Sequence, residues 1–160
     1  WILIPLDSPG PGIFAQRRIG QGGKEFTVYK FRTMKRGTRQ VGTHEMTQAS
    51  ITRMGAFLRK TKLDELSQVF NVATGNLSLV GPRPCLPVQT QLIEERDKRG
   101  VFKVKPGITG LAQINNVDMS DPVRLARLDA RYIAQRSLPS ELKIAAATFL
   151  GRGANDKVRG

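Results

Sequence analysis

Proline and glycine cut this chain into short pieces, and nothing else in it limits the fold as much. "DSPGPG" (Asp7 to Gly12), "QGGK", "TGN", "GPRP" and "KPGITG" punctuate the 160 residues. Proline lacks the N–H that a helix or a sheet ladder needs, and glycine costs entropy in either. Regular elements between such stops have to be short.

The segments between them read as follows. "IFAQRRIG" is a short strand, "QGGK" reverses the chain, and "EFTVYKFRTM" (Glu25 to Met34) returns. Phe26 and Val28 fall on one face and Tyr29 and Phe31 on the other, which predicts a β-hairpin. Residues 35–50 are polar and read as a loop. Ile51, Met54, Phe57 and Leu58 are spaced for one face of a helix. Leu66, Val69 and Phe70 form a second stripe, ended by "TGN". "LSLVG" predicts a short buried strand, and "PRP" (Pro82 to Pro84) cannot be helical inside. Val88 to Arg99 predicts a charged helix stopped by Gly100. "VFKVKPGITGLAQIN" reads as strand and turn. Ser120 or Asp121 caps a helix beginning near Pro122 and running to about Arg136. Leu138 and Pro139 break it, and Glu141 to Leu150 is a last apolar helix. "GRGANDKVRG" reads as a flexible basic tail. The expected fold is α+β: a single compact domain with a small β-hairpin region and several amphipathic helices.

At 39% hydrophobic residues the chain can bury a core. Its net charge of +13 predicts an anionic partner: nucleic acid, an acidic membrane surface or a phosphorylated substrate. Cys85 is the one cysteine, so an internal disulfide is excluded, and it reads as a small buried thiol. His44 is the one histidine, in polar "VGTHEM", and without cysteine partners it makes no zinc site. No run reaches the ~18 apolar residues of a membrane span. The chain opens on "WILIPL" without an initiator Met. It reads as a piece of a longer protein, with Trp1 to Leu6 the end of an apolar segment.

Asp64 and Glu65 are adjacent carboxylates in "LRKTKLDELSQVFNV", directly after Arg59, Lys60 and Lys62. Asp64 or Thr61 suits a helix N-cap, where acids are favoured by the dipole. The same pair among cations also suits Mg²⁺ held beside a phosphate, or a nucleophile with a metal ligand. Arg83 lies between two prolines. That stiff loop either presents its guanidinium fork to a phosphate or is a structural turn with a solvated arginine. "KFRTMK" places Lys30 and Arg32 on one strand face, as phosphate binders or as the cations of a solvated edge. Asp129 and Tyr132 share one helix face in "LDARYI", as a structural pair or as the polar edge of a site.

The order of these segments resembles the bacterial sugar transferase family, the monotopic polyprenyl-phosphate phosphoglycosyl transferases. The resemblance runs from "LDSPGPGIFAQRRIG" through "VYKFRTM", "FLRKTKLDELSQVFNV", "GNLSLVGPRP", "KPGITGLAQIN" and "LDARYI" to "LKIAAATFLGRG". Ser67 departs from the family's usual "DELPQ", and "LPSELKI" departs where an aspartate commonly precedes "LKI". The resemblance implies a phosphoglycosyl transferase domain over residues 1–150, its N-terminal membrane helix cut away before Trp1, followed by the tail 151–160. It implies transfer of a sugar-1-phosphate from a UDP-sugar to polyprenyl (undecaprenyl) phosphate, with UMP released. The reaction would start exopolysaccharide, O-antigen, capsule or glycoconjugate synthesis at the cytoplasmic face of the inner membrane.

By the same match Asp64 is the nucleophile and Glu65 helps bind Mg²⁺, with both carboxylates as metal ligands. Arg83, Lys30, Arg59 and Arg32 bind phosphate, and Asp129 and Tyr132 lie near the nucleotide-sugar. The partners implied are the donor, the lipid acceptor and an anionic membrane surface, with a homodimer left open and nucleic acid not expected. The last helix, with Leu142, Ile144, Phe149 and Leu150, is either core or interfacial. Two rivals remain at this stage: a basic nucleic-acid-binding module and an inactive scaffold fragment. Aromatics at 6%, with no RNA-recognition or helix-turn-helix signature, weigh against the first.

Overall fold

The computed structural model describes residues 4–38 and 50–152. Trp1 to Leu3, residues 39–49 with His44, and the tail from 153 onward lie outside the described residues. After a one-turn helix α1 (Ile4–Asp7), strands β1 (Ile13–Ile19) and β2 (Glu25–Phe31) form the expected antiparallel hairpin. The register pairs Ile13 with Phe31 and Ile19 with Glu25. Val28 is buried and Tyr29 exposed, as alternation requires.

Helix α2 (Arg53–Thr61) begins two residues later than its apolar spacing predicts. Thr52 is the N-cap, its Oγ1 accepting from the Gly55 N–H at 2.9 Å. Ile51 instead bridges to Met34 in extended backbone. A 3₁₀ segment (Leu63–Gln68) and helix α3 (Val69–Ala73) follow. Leu66, Val69 and Phe70, the second apolar stripe, are exposed. The buried residues of the segment are polar: Ser67, Gln68 and Asn71. They face the outer edge of β2. Asn71 donates to Thr27 O at 2.6 Å and accepts from Tyr29 N–H at 3.2 Å, and Ser67 donates to Tyr29 O at 2.9 Å. Backbone groups at a strand edge need partners, and these side chains supply them where apolar ones could not.

Strand β3 (Ser78–Val80) runs parallel to β4 (Gly107–Thr109), with helix α4 (Thr90–Asp97) between them in sequence. Leu77 and Val80 are buried and Leu79 is exposed, so only part of the expected buried strand faces the core. The region after Gly100 holds a short 3₁₀ turn, β4 and a one-turn helix α5 (Leu111–Ile114), which strand-and-turn reasoning did not anticipate. Helix α6 (Pro122–Ala134) starts where the sequence places it, with Asp121 accepting from Arg124 N–H at 3.0 Å. Helix α7 (Leu138–Phe149) begins earlier than expected. Ser137 caps it, and Pro139 sits in its first turn, where a missing N–H costs nothing.

One core cluster joins Ile19, Cys85, Leu92, Ala112, Val117, Leu125 and Ala126, and a second joins Val80, Tyr132 and Ile144. Cys85 is fully buried, and burial pushes its thiol up, so it is a packing group. Among the described residues no helix is long and apolar enough to cross a membrane.

Candidate active site

The carboxylate pair sits at a sharp joint. Helix α2 ends at Lys62, whose φ of 56° is in the left-handed region that side-chain-bearing residues seldom adopt. The 3₁₀ segment starts there without a side-chain cap, so neither Asp64 nor Thr61 plays the expected capping role. Asp64 and Glu65 occupy the first turn. Thr61 instead donates back to Phe57 O and Leu58 O within α2.

Glu65 draws three distant parts of the chain together. Lys30 Nζ on β2 lies 2.8 Å from its Oε1, and Arg83 Nη2 lies 3.2 Å from the same oxygen. All three side chains are about one-fifth exposed. Burial alone would raise the Glu65 carboxyl. Lys30 and Arg83, with hydrogen bonds from Lys30 and Gln68, outweigh it and hold the group at about 2.

Asp64 stands differently. Burial raises it and Glu65 raises it further, against the pull of Lys30, Arg59 and Arg83. Its carboxylate accepts no hydrogen bond among the described residues. Arg59 places Nε on Thr33 Oγ1 at 3.0 Å, and its Nη1 is buried with no hydrogen-bond partner. A buried guanidinium nitrogen left open beside an unsaturated carboxylate suits an anion brought from outside. The two neighbouring acids are thus unlike: Glu65 is locked among cations, while Asp64 is desolvated and open.

Arg83 is held from behind. From Pro82 to Cys85, four backbone carbonyls accept a hydrogen bond from outside the loop. The donors are Gly107 N–H to Pro82 O (3.0 Å), Arg96 Nη1 to Arg83 O (2.9 Å), Arg18 Nη1 to Pro84 O (3.0 Å) and Ile19 N–H to Cys85 O (2.9 Å). Gly107 must be glycine, because a Cβ there would collide with the Gly81 backbone on β3's exit.

Three expected site residues are placed elsewhere. Arg32 falls just past the end of β2, and its guanidinium turns to the carbonyls of Ser8, Pro9 and Gly10. It anchors the proline–glycine turn, whose carbonyls have no ladder to satisfy them. Asp129 is buried and takes both Nε (3.0 Å) and Nη2 (2.7 Å) of Arg96 on its Oδ2. The Tyr132 hydroxyl has one proton, which it donates to the Glu141 carboxylate at 2.8 Å, with Val80 O a second, longer acceptor at 3.2 Å. Burial first, and then that carboxylate, raises Tyr132, so it stays a phenol. Asp129 and Tyr132 do share a helix face, but it is the inner one. Lys30, Arg59, Asp64, Glu65 and Arg83 are the residues brought together.

Sequence reasoning missed Arg96, Arg18 and Gln68. Arg96 follows Leu92 by one helical turn, and both are buried. That i, i+4 spacing was the available signal.

The bacterial sugar transferase family model matches residues 1–152. This chain belongs to that family. Among its relatives, the UDP-glucose:undecaprenyl-phosphate glucose-1-phosphate transferase of Escherichia coli K12 is 42% identical over 92% of this chain and 34% of its own length. The UDP-N-acetylgalactosamine-undecaprenyl-phosphate N-acetylgalactosaminephosphotransferase of Aeromonas hydrophila is 41% identical over 92% and 37%. Galactosyl transferase CpsE of Streptococcus agalactiae serotype III is 39% identical over 91% and 36%. The chain spans about a third of the length of these relatives. Their names carry different sugars at nearly equal identity, so overall similarity does not select one.

Two positions that depart from the expected family pattern make contacts of their own. The Ser67 hydroxyl donates to Tyr29 O. Glu141 stands directly before "LKI", and its carboxylate accepts from Tyr132 and Arg136.

Proposed function

We propose that this chain is the catalytic part of a phosphoglycosyl transferase that moves a sugar-1-phosphate from a UDP-sugar to undecaprenyl phosphate. The observation that carries this reading is Asp64: a carboxylate that accepts no hydrogen bond among the described residues, is desolvated by burial, and feels the charges of Lys30, Arg59 and Arg83.

In the first half-reaction an Asp64 oxygen attacks the β-phosphorus of the donor. The bond from that phosphorus to the bridging oxygen breaks, and UMP leaves with the electron pair. An acyl phosphate carrying the sugar remains on Asp64. In the second, an oxygen of the lipid phosphate attacks the same phosphorus and the Asp64 carboxylate is returned. The product is a polyprenyl diphosphate sugar, the starting unit for a surface polysaccharide or glycoconjugate. A carboxylate approaching a diphosphate meets like charge, and the cations around Asp64 offset that repulsion. Glu65 orders two of them. Its two bonds to Lys30 and Arg83 hold both side chains before the donor arrives, so less reorganisation is needed in the transition state.

Magnesium fits the donor chemistry of this site. Among the described residues there is no cluster of three or more acidic, histidine or cysteine ligands. Mg²⁺ commonly needs only one or two carboxylates, completed by substrate phosphates and water. Asp64, with its open oxygens, and Glu65, through the oxygen not paired to Lys30 and Arg83, would hold it. When bound, it supplies further neutralisation of the diphosphate.

In this reading the reaction runs at the cytoplasmic face of the inner membrane. Phe149 and Leu150 at the end of α7 are 93% and 82% exposed. Lys62 ties them to the site, donating to Thr148 O and Arg152 O only two residues before Asp64. Apolar side chains beside the carboxylates, on a chain of charge +13, suit an anionic lipid surface.

The test is UMP release from a panel of UDP-sugars by the full-length protein. Asp64→Asn should abolish it, and intact mass should find the sugar-phosphate adduct only with Asp64 present. Undiminished release from that variant refutes the nucleophile. Full activity in excess EDTA refutes the metal.

A further inference from the structure

Arg83 can serve the substrate phosphates only while its backbone is held in place. Its side chain reaches Glu65, yet its backbone is a loop between two prolines with no helix or strand of its own. Proline restricts φ at positions 82 and 84, but ψ at Arg83 and the tilt of the whole loop need outside support. Arg96 gives that support at the residue itself. One edge of its guanidinium binds the Asp129 carboxylate and the remaining nitrogen binds the Arg83 carbonyl.

This pair is an unusual choice for a core. Arg96 and Asp129 side chains are 2% and 3% exposed. Replacing a buried ion pair with apolar residues of similar size is often neutral or stabilising. Packing alone therefore gives no reason for it. Its geometry does: only a planar fork satisfies a carboxylate on one edge and a carbonyl on another while remaining charged. Asp129 fixes the fork, the fork fixes the Arg83 carbonyl, and the Arg83 side chain leaves the same residue toward Glu65. Three residues further along α6, the Tyr132 hydroxyl lies 3.2 Å from Val80 O, upstream of the loop.

We propose that Arg96 and Asp129 are positioning residues for Arg83, and that the buried pair serves to aim the Arg83 guanidinium at the phosphate site. The proposal rests on the function assigned to Arg83 above. It makes the pair a requirement for turnover rather than for stability.

The experiment uses the full-length protein, with UDP-glucose and UDP-N-acetylgalactosamine as donors and undecaprenyl phosphate in vesicles. Kinetic constants for UMP release and the thermal midpoint are measured together. Asp129→Asn leaves Arg96 charged and underpaired, and it risks misfolding. The informative variant is therefore the double replacement Arg96→Met with Asp129→Leu, which keeps the volume and removes both charges. Its melting should stay near wild type, while kcat falls about 10- to 100-fold and KM for the donor changes little, as expected for a misplaced transition-state contact. Arg96→Lys keeps the charge but cannot make both contacts, and should lose kcat similarly. The same double replacement in an Arg83→Ala background should cost less than about twofold more, because the two act as one unit. Wild-type kcat in the Met/Leu variant overturns the proposal. So does an undiminished loss in the Arg83→Ala background, which would mean that the pair acts on something else. If Arg83→Ala alone keeps full activity, the parent assignment of Arg83 fails instead, and the two failures are told apart.

Discussion

Replacing Lys30 by methionine removes one cation from Glu65 and keeps most of the aliphatic stem. In the folded protein Glu65 is held at about 2 against its ordinary 4.5. That lowering corresponds to roughly 3–4 kcal/mol. Because the folded value lies below the unfolded one, this stabilisation is complete above about pH 4.5. It is lost as the pH falls toward about 2. Lys30 is the first of the groups that hold Glu65 down, and it is also the strongest brake on the upward shift of Asp64. Without it both carboxylates rise, and Glu65 keeps its burial with fewer partners. Removing one member of a mostly buried pair then costs about 1–3 kcal/mol at pH ~7, a discount on the fully buried case. Near pH ~3 the cost should be smaller than at neutral pH, since the unfolded carboxylate is protonated there while the folded wild-type Glu65 is still mostly ionised, so part of the linked stabilisation has already gone. Urea unfolding of the two proteins at both pH values measures this. Equal losses at the two pH values, or no loss at neutral pH, would refute the electrostatic account. Adding Glu65→Gln to Lys30→Met should recover part of the loss, because the stranded charge is then gone.

Asn71→Ala removes two bonds from the edge of β2, and thermal unfolding should register a loss of about 1–3 kcal/mol. Gly107→Ala forces β4 away from Gly81. It should destabilise by about 1–3 kcal/mol and also lower UMP release, whereas an unaffected variant would mean that the strands part without consequence. Phe149→Glu with Leu150→Glu should leave the melting midpoint in place and weaken sedimentation with anionic vesicles, and unchanged sedimentation would remove α7 from the membrane surface.

How far the sequence predicts this molecule depends on where each signal comes from. The hairpin and α6 were legible because their determinants are local: alternation over seven residues in one, an aspartate cap and Pro122 in the other. The pairing of β3 with β4 was not. Each strand has three residues, and their partnership depends on the close approach of Gly81 and Gly107. The dyad segment was read as the start of one helix, and the structure makes it a separate 3₁₀ segment ahead of α3. Periodicity reports that Leu66, Val69 and Phe70 share a face, but not that this face points outward. Asn71 and Ser67 decide that, because the β2 edge needs polar partners. Arg96 was passed over since a charged residue on a charged helix is normally at the surface. Asp129 and Tyr132 were correctly placed together, and burial changes what they touch.

The contact between Asn71 and β2 has a further consequence, for how copies of this chain treat one another. A two-stranded hairpin has a free edge on each side, and an unpaired edge is a template for another chain. Here the side chains of Asn71 and Ser67 occupy the Thr27 and Tyr29 backbone groups that an incoming strand would seek. They act as a dummy strand that cannot propagate. Directly outside them stand Val69 and Phe70, both exposed. If the segment comes loose, a bare strand edge and an apolar patch appear together. Self-association on warming should therefore begin at this seam, ahead of global unfolding.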